Sequence, residues 1–211
     1  LGDVYKRQQL NLSTEDAKLL EDLYESFKAN GATLNKDDKE KYRKLSMDLS
    51  MLTLQFDQNA LKDKNRFELL ITDENELSGL PESARDAAAM LAKSKDKDGW
   101  LFNLSAPSYI PFMRYSDKRD LREKMYREYM SVGNKGDEFD NKDIIKKIVN
   151  IRLEIAQLMG FKNYAEYALE HTMAKNSANV YKLLNQLLEA YKPIAINEYN
   201  AVEGFALGTE K

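Results

Sequence analysis

Few side chains in this sequence could carry out bond-breaking chemistry. His171 is the only histidine, and the carboxylate next to it in sequence is Glu170. A zinc site built on a helix needs two histidines one turn apart and a carboxylate, because both ring nitrogens must reach one metal ion from the same face. One histidine beside an adjacent glutamate does not meet that requirement, so we interpret His171 as a structural or surface residue.

The other common catalytic arrangements are also absent from the sequence. There is no cysteine, and no G-x-S-x-G, G-x-G-x-x-G or phosphate-loop pattern occurs. Two acidic pairs, Glu15-Asp16 and Asp37-Asp38, stand where helices are predicted to begin, and carboxylates there favour the helix dipole. We interpret these pairs as helix caps. The residues by themselves predict no catalytic, cofactor-binding or metal-binding site.

Composition narrows the class of protein. The chain has 211 residues, of which 43% are apolar and 32% charged, and its net charge is -3. This is typical of a well-solvated helical protein with enough chain to bury a core, as one large domain or two small ones. The basic residues form no stripe for a nucleic-acid groove, and no apolar run approaches the roughly 20 residues that span a bilayer. We expect no nucleic-acid and no membrane partner.

Hydrophobic spacing predicts a mainly α fold, a multi-helix domain of packed antiparallel helices with a small two-stranded β-ribbon. The ribbon is predicted from two short apolar runs at residues 66–72 and 99–105. The helices are predicted to run from Ser13 to Asn30, Asn35 to Lys64, Pro81 to Lys93, Asp117 to Val132 and Ser177 to Val202, with two more between Asn141 and Asn176.

Three of these helices carry long apolar stripes that we expect to be buried. The first carries Ala17, Leu20, Leu23, Tyr24 and Phe27; the second carries Tyr42, Leu45, Leu49, Leu52, Phe56 and Asn59; the last carries Val180, Leu183, Leu184, Leu187, Leu188 and Tyr191. The first two helices are predicted to form an antiparallel hairpin rather than a dimerising coiled coil. In the last helix, Pro193 removes one backbone hydrogen bond, which predicts a kink.

The segment from Asn141 to Asn176 is predicted to be two helices joined by a tight corner. Its first helix buries one side, formed by Ile144, Ile148, Ile151, Ile155 and Leu158. Gly160 is expected to end that helix in the left-handed conformation, with Phe161 folding back on the last turn. Asn163 is expected to cap the next helix, with Glu166 as its reciprocal partner.

The pattern N-x-R-L-E-x-A-x-L-x-G-F-x-x-Y-A-x-Y-x-L, from Asn150 to Leu169, resembles the zinc metallopeptidases of the thimet oligopeptidase and oligopeptidase A family. It is most similar to their peptidyl-dipeptidase branch. The resemblance extends through Trp100–Leu104 and Pro107–Met113 to Arg119–Lys124, and covers nearly the whole chain after residue 8. Family members bind zinc through a His-Glu-x-x-His helix and a later glutamate, a pattern that this sequence does not contain.

The resemblance implies a fragment of a zinc peptidyl-dipeptidase, which removes C-terminal dipeptides from short peptides. Such a fragment would form a wall of the substrate channel and bind no metal itself, the zinc being held by the missing C-terminal catalytic half. An endo-acting oligopeptidase of the same family is the first alternative. We rank it second because Gly31-Ala32-x-Leu34 and Pro107–Phe112 look more like peptidyl-dipeptidases. A non-catalytic helical interaction module, or an inactive homologue, is the third possibility.

The stretch from Pro107 to Tyr115, interrupted by Pro111, has two interpretations. It could line the peptide channel, with Arg114 holding substrate, or it could be a core plug beneath the β-ribbon. Clustered aromatic residues are far more often buried than exposed, so we favour the plug.

Leu1–Gln8 lacks an initiator methionine and is typical of a translated sequencing-library adapter, so we treat residues 9–211 as the native helical portion. We expect a cytoplasmic location, with the periplasm as the alternative. If the chain is part of a larger fold, an apolar stripe should be left exposed. We expect it above all on the Ser177–Val202 helix.

Overall fold

The computed structural model describes residues 12–208, which form eight α-helices and one two-stranded sheet. The helices are α1 (Thr14–Ala29), α2 (Lys36–Arg66), α3 (Glu82–Lys93), α4 (Ala106–Tyr115), α5 (Arg119–Met130), α6 (Lys142–Leu158), α7 (Tyr164–Leu169) and α8 (Ser177–Ala206), and the strands are β1 (Leu69–Ile71) and β2 (Trp100–Phe102). The predicted mainly α class with a small β-ribbon is confirmed. The adapter-like residues 1–8 lie outside the described part.

None of the helices within residues 12–208 combines the length and the apolarity that a membrane span requires.

The chain divides into two compact units, and the boundaries between them fall inside α2 and α6. The central unit is Met47–Asn150. The terminal unit joins the residues up to Ser46 to those from Ile151 onward. The β-ribbon, α3, α4 and α5 belong to the central unit, and α1, α7 and α8 belong to the terminal unit.

The core of the central unit forms around the β-ribbon. β1 pairs with β2 in antiparallel register, with Leu69 opposite Phe102. Because side chains alternate along a strand, Leu69 and Ile71 point into the core while Leu70 between them is exposed. Two strands are marginal alone, and here α3, α4 and α5 supply the buried Ala88, Phe112 and Met125 against which the ribbon packs.

Several predicted boundaries in the central unit are corrected. The strands are three residues long, shorter than the apolar runs that predicted them. Pro81 precedes α3 as its N-cap residue instead of occupying the first helical position. Pro111 does not break α4 but lies inside it. A proline in a helix removes one hydrogen bond, and the adjacent Phe112, which is fully buried in the core, holds the helix in place despite that loss.

α5 begins and ends inside its predicted range. It was predicted to begin at Asp117, but the extended Lys118 is its N-cap residue, and the Asp117 backbone N–H before it donates to the Ser78 carbonyl oxygen at 2.9 Å. The helix ends at Met130, before Val132.

The corner between α6 and α7 follows the local signals in the sequence. Gly160 has a φ of +86°, and the Phe161 N–H folds back to donate to the Ala156 carbonyl oxygen at 2.8 Å. Asn163 caps α7 by accepting from the Glu166 N–H at 3.0 Å. The prediction that Glu166 is the reciprocal partner in this cap is wrong. Its carboxylate instead accepts from the Ser177 hydroxyl at 2.6 Å. The side chain therefore links α7 to the first turn of α8.

Candidate functional site

His171 lies just after α7, on the surface of the terminal unit. Its Nε2 is 3.3 Å from a carboxylate oxygen of Glu170, and both side chains are more than a third exposed. Within residues 12–208 no cluster of three or more His, Asp or Glu side chains could hold a metal ion. The zinc that the family resemblance implies therefore does not fit the residues described here. Of the two interpretations of His171, as a structural or a surface residue, its 44% exposed side chain agrees with the second.

The strongest cluster of charges surrounds Asp63, on the α2 turn nearest the β-ribbon. This carboxylate is fully buried and accepts from the Gly133 N–H at 2.7 Å and from the Lys135 ammonium at 3.1 Å. Arg66, one turn along α2, contributes a guanidinium nitrogen 2.7 Å from the same carboxylate and also pairs with Asp137. Two cations and one backbone donor thus compensate a buried carboxylate, as burial of a charge requires.

A second buried polar contact lies one turn earlier on α2. The Asn59 amide donates to the Asn141 side-chain oxygen at 3.1 Å, and the Asn141 amide donates to the Phe56 carbonyl oxygen at 3.0 Å. The Asn141 N–H bonds the Gly133 carbonyl oxygen at 2.8 Å. Gly133 has a φ of +69°, and a Cβ there would lie 3.1 Å from the Asn141 amide nitrogen. The loop between α5 and α6 is therefore fastened to α2.

The protonation behaviour of this cluster indicates a structural role. Burial lowers the pKa of Lys135, but its hydrogen bonds to Glu128 and Asp63 outweigh that effect and raise the pKa above its ordinary value. The hydrogen bond from Arg66 holds the pKa of Asp137 below its usual range. These groups therefore stay charged near neutral pH, and neither has the properties of a proton-transferring catalyst.

A tyrosine cluster fastens α7 inside the terminal unit. The Tyr167 hydroxyl donates to the Ala29 carbonyl oxygen at 2.7 Å, at the end of α1. Burial is the main cause that raises the pKa of Tyr167, and a hydrogen bond with Tyr42 adds to it. The Arg152 guanidinium lies 5.2 Å from the ring centre of Tyr164. A phenol with a raised pKa holds its proton, so Tyr167 acts as a structural donor rather than as a general acid.

The aromatic stretch in α4 is mainly a core plug, as favoured from the sequence. Phe112 is fully buried and meets Phe102 edge to face, with 4.8 Å between ring centres. Tyr109 stacks on Tyr129 at 4.3 Å, and Met113 packs against the same core. Ile110 and Tyr115 remain exposed on the outer side of the helix. One side of α4, which also carries the exposed Arg114, therefore remains open to solvent.

Two predicted apolar stripes of the terminal unit, on α1 and α8, are exposed. The α1 stripe predicted to be buried is not, because Leu23 and Phe27 are 48% and 66% exposed and α1 has no buried residue. With Leu20 they line an open apolar pocket along α1. The described residues therefore do not cover this stripe.

The prediction that the α8 stripe is buried is also wrong. Leu184, Leu188 and Tyr191 were expected to face inward but are 50%, 58% and 62% exposed. Of the predicted stripe only Val180, near α7, is half-buried. The separate expectation that an exposed stripe would lie on this helix is confirmed. The kink predicted at Pro193, which lies within α8, stays a prediction.

Sequence reasoning missed the Asp63 cluster. Asn59 was recognised on the buried stripe of α2, and Asp63 lies one turn further along the same face. The sequence signal for this cluster was a polar residue on the predicted buried stripe, Asn59, followed four positions later by the acidic Asp63.

Known proteins resemble this chain along most of its length. Residues 112–210 match the model of peptidase family M3. Oligopeptidase A of Escherichia coli is 36% identical over 209 residues, which is 97% of this chain and 30% of that protein. A probable cytosolic oligopeptidase A of Arabidopsis thaliana is 36% identical over 203 residues, 93% of this chain and 29% of that protein. Dipeptidyl carboxypeptidase of Escherichia coli is 29% identical over 199 residues, 94% of this chain and 29% of that protein.

These matches cover nearly the whole chain, and they agree with the pattern from Asn150 to Leu169. The family match at residues 112–210 and these relatives together support a fragment of the thimet oligopeptidase and oligopeptidase A family. It spans about three tenths of the length of the curated relatives it matches.

Proposed function

We propose that this chain is the helical portion of an M3-family metallopeptidase that cleaves short peptides, and that it contributes one wall of the substrate channel. The observation that supports this most is the 36% identity to oligopeptidase A over 97% of the chain. The exposed side of α4, with Ile110 and Tyr115 flanking Arg114, is the strip of wall that could touch a peptide. Any zinc in such a protein would be held by residues outside this sequence, because His171 stands alone.

The direct test is to read the source DNA in frame beyond the codon for Lys211 and to express the complete reading frame. The proposal predicts a His-Glu-x-x-His helix followed by a further glutamate, and hydrolysis of short peptides that stops on treatment with a chelator and returns with zinc. A stop codon directly after Lys211 would instead support the non-catalytic interaction module. A reading frame whose downstream part lacks the zinc ligands would support the inactive homologue.

Two modes of cleavage remain as candidates within the family. Identity favours the endo-acting mode, since the oligopeptidase A of Escherichia coli is 36% identical and the dipeptidyl carboxypeptidase is 29% identical. The sequence stretches Gly31–Leu34 and Pro107–Phe112 favour the peptidyl-dipeptidase mode. Peptides with a free or an amidated C-terminus separate the two. A peptidyl-dipeptidase releases a dipeptide only from the free form, whereas an endo-acting enzyme cuts both forms internally.

A further inference from the structure

One side of α8 carries a row of exposed apolar residues. Successive helical residues are rotated by about 100°, and on that basis six of these residues fall within an arc of about 80°. We call them the α8 face: Leu184, Leu187, Tyr191, Ile194, Val202 and Phe205. Their exposed fractions run from 43% at Leu187 to 79% at Phe205. At about 1.5 Å per residue the row is about 32 Å long.

A single carboxylate interrupts this row. Glu198 lies at the centre of the same arc, between Ile194 and Val202, and it is exposed. The other charged side chains of α8, such as Lys192 and Glu203, lie outside the arc. A surface that covered the row would therefore have to be apolar and also offer Glu198 a cation or a hydrogen-bond donor, because a buried unpaired carboxylate is strongly unfavourable.

The family match and the length of the relatives indicate what covers the α8 face. The match to peptidase family M3 runs to residue 210 and so includes the whole of α8, which makes the helix part of the family's domain. The relatives that match along this chain are more than three times as long as the matched region. Most of an M3-family protein is therefore available to cover this helix.

We propose that the α8 face is a docking surface for the catalytic portion of an M3-family peptidase, with a cationic or hydrogen-bond-donating group of that portion placed opposite Glu198. This rests on the proposed function. The same face on a second copy of the chain fits less well, because it carries no cation to pair with Glu198. An anionic lipid surface fits less well for the same reason.

The test uses the 211-residue chain and a polypeptide made of the residues of Escherichia coli oligopeptidase A that follow the stretch matched here. Sedimentation velocity is expected to show a one-to-one complex, and hydrogen exchange is expected to slow at α8 in that complex. The double substitution Leu187→Asp and Ile194→Asp should weaken association by about a hundredfold or more. Glu198→Gln, which keeps the side-chain shape, should weaken it by about tenfold.

Met90→Asp provides the matched control. Met90 is 74% exposed on α3, so the same kind of charge is introduced on another exposed helical surface. It should leave association unchanged. Because all four substituted side chains are exposed, the variants should retain the far-UV circular dichroism of the parent chain.

Absence of a complex would overturn the proposal, and so would a complex that tolerates the double substitution. A homodimer of the chain that the double substitution abolishes would overturn it in favour of a second copy. If Glu198→Gln binds with the affinity of the parent chain, the proposal that a cationic or hydrogen-bond-donating group lies opposite Glu198 is overturned. A complex that forms but hydrolyses no peptide would contradict the proposed function and leave the docking surface in place.

Discussion

Apolar side chains of similar types are buried in the core of the central unit and exposed along α8 of the terminal unit. In the central unit, Leu104 and Phe112 have no exposed surface. In the terminal unit, Leu188 and Tyr191 of α8 are more than half exposed, although their helix is the second longest described. Fully burying such a side chain stabilises a fold by about 1.5–3 kcal/mol. The central unit therefore derives stability from contacts within the chain, and the terminal unit retains apolar surface that a partner could cover.

Trp100 provides a way to observe the central unit separately. It is the only tryptophan in the sequence, and it packs against the central core. Its fluorescence reports unfolding of the central unit, while far-UV circular dichroism reports all helices.

The largest effect is expected from Phe112→Ala. It removes a fully buried ring from the core and should lower the free energy of unfolding of the central unit by about 3–5 kcal/mol. Urea unfolding followed by Trp100 fluorescence measures this change. Ile110→Ala in the same helix is the control, since Ile110 is 57% exposed and its truncation should change stability by less than about 0.5 kcal/mol. Similar losses in the two variants would mean that α4 is not packed as described.

The next effect is expected from Asp63→Asn. The substitution keeps the side-chain shape but removes the charge that compensates Lys135 and Arg66, and should destabilise the central unit by about 3 kcal/mol. The same urea experiment applies. Asp143→Asn breaks an exposed ion pair with Lys146 and should cost less than about 0.5 kcal/mol. Equal stability of the Asp63 variant and the parent would show that the buried charges do not fasten the loop.

In the terminal unit, Tyr167→Phe removes one hydroxyl that donates to the Ala29 carbonyl oxygen. A single hydrogen bond of this kind contributes about 1 kcal/mol, so a loss of that size is expected. The loss should be visible in urea unfolding followed by circular dichroism. Tyr191→Phe, at an exposed position of α8, should have no measurable effect. A shift in the Trp100 transition alone would contradict the assignment of Tyr167 to the terminal unit.

A smaller effect is expected from the pH dependence of the central unit. Hydrogen bonds from Lys95 and Lys97 lower the pKa of Glu68. A carboxyl group with a lowered folded-state pKa stabilises the fold above its unfolded pKa of about 4.3, and this contribution is lost as the pH falls through the folded value. Glu68→Gln should therefore lose less stability than the parent between about pH 5 and pH 2. Urea midpoints from Trp100 fluorescence, measured across that range, check this; parallel curves would contradict it.

The smallest effect on stability is expected from Leu184→Gln on the α8 face. Because Leu184 is half exposed, the free energy of unfolding should change by less than about 0.5 kcal/mol, while the fluorescence of a bound hydrophobic dye should fall. Leu104→Gln makes the same change at a fully buried position and should destabilise the central unit strongly. A large loss of stability in the Leu184 variant would mean that α8 is already covered within this chain.

The sequence alone was sufficient for the features that depend on a few neighbouring residues. Ser13 and Asn35 cap the helices that were predicted to begin at these residues, Asn163 caps α7 as predicted, and Gly160 turns the chain with a positive φ. These features follow from hydrogen bonds and backbone conformations within about four residues, so the local pattern is enough to specify them. The mainly α class was also predicted from local apolar spacing. The two strands were predicted from short apolar runs, although the residues that pair, such as Leu69 and Phe102, lie far apart in the sequence.

Only the tertiary structure decided which stripes are buried and which charges meet. The stripes of α2, α6 and α8 look alike in sequence, yet α8 is exposed, because burial depends on residues elsewhere in the chain. The contact between Asp63 and Gly133 joins residues 70 positions apart, and that between Asn59 and Asn141 joins residues 82 apart. Helical periodicity shows which side of a helix is apolar, but long-range packing determines what covers it.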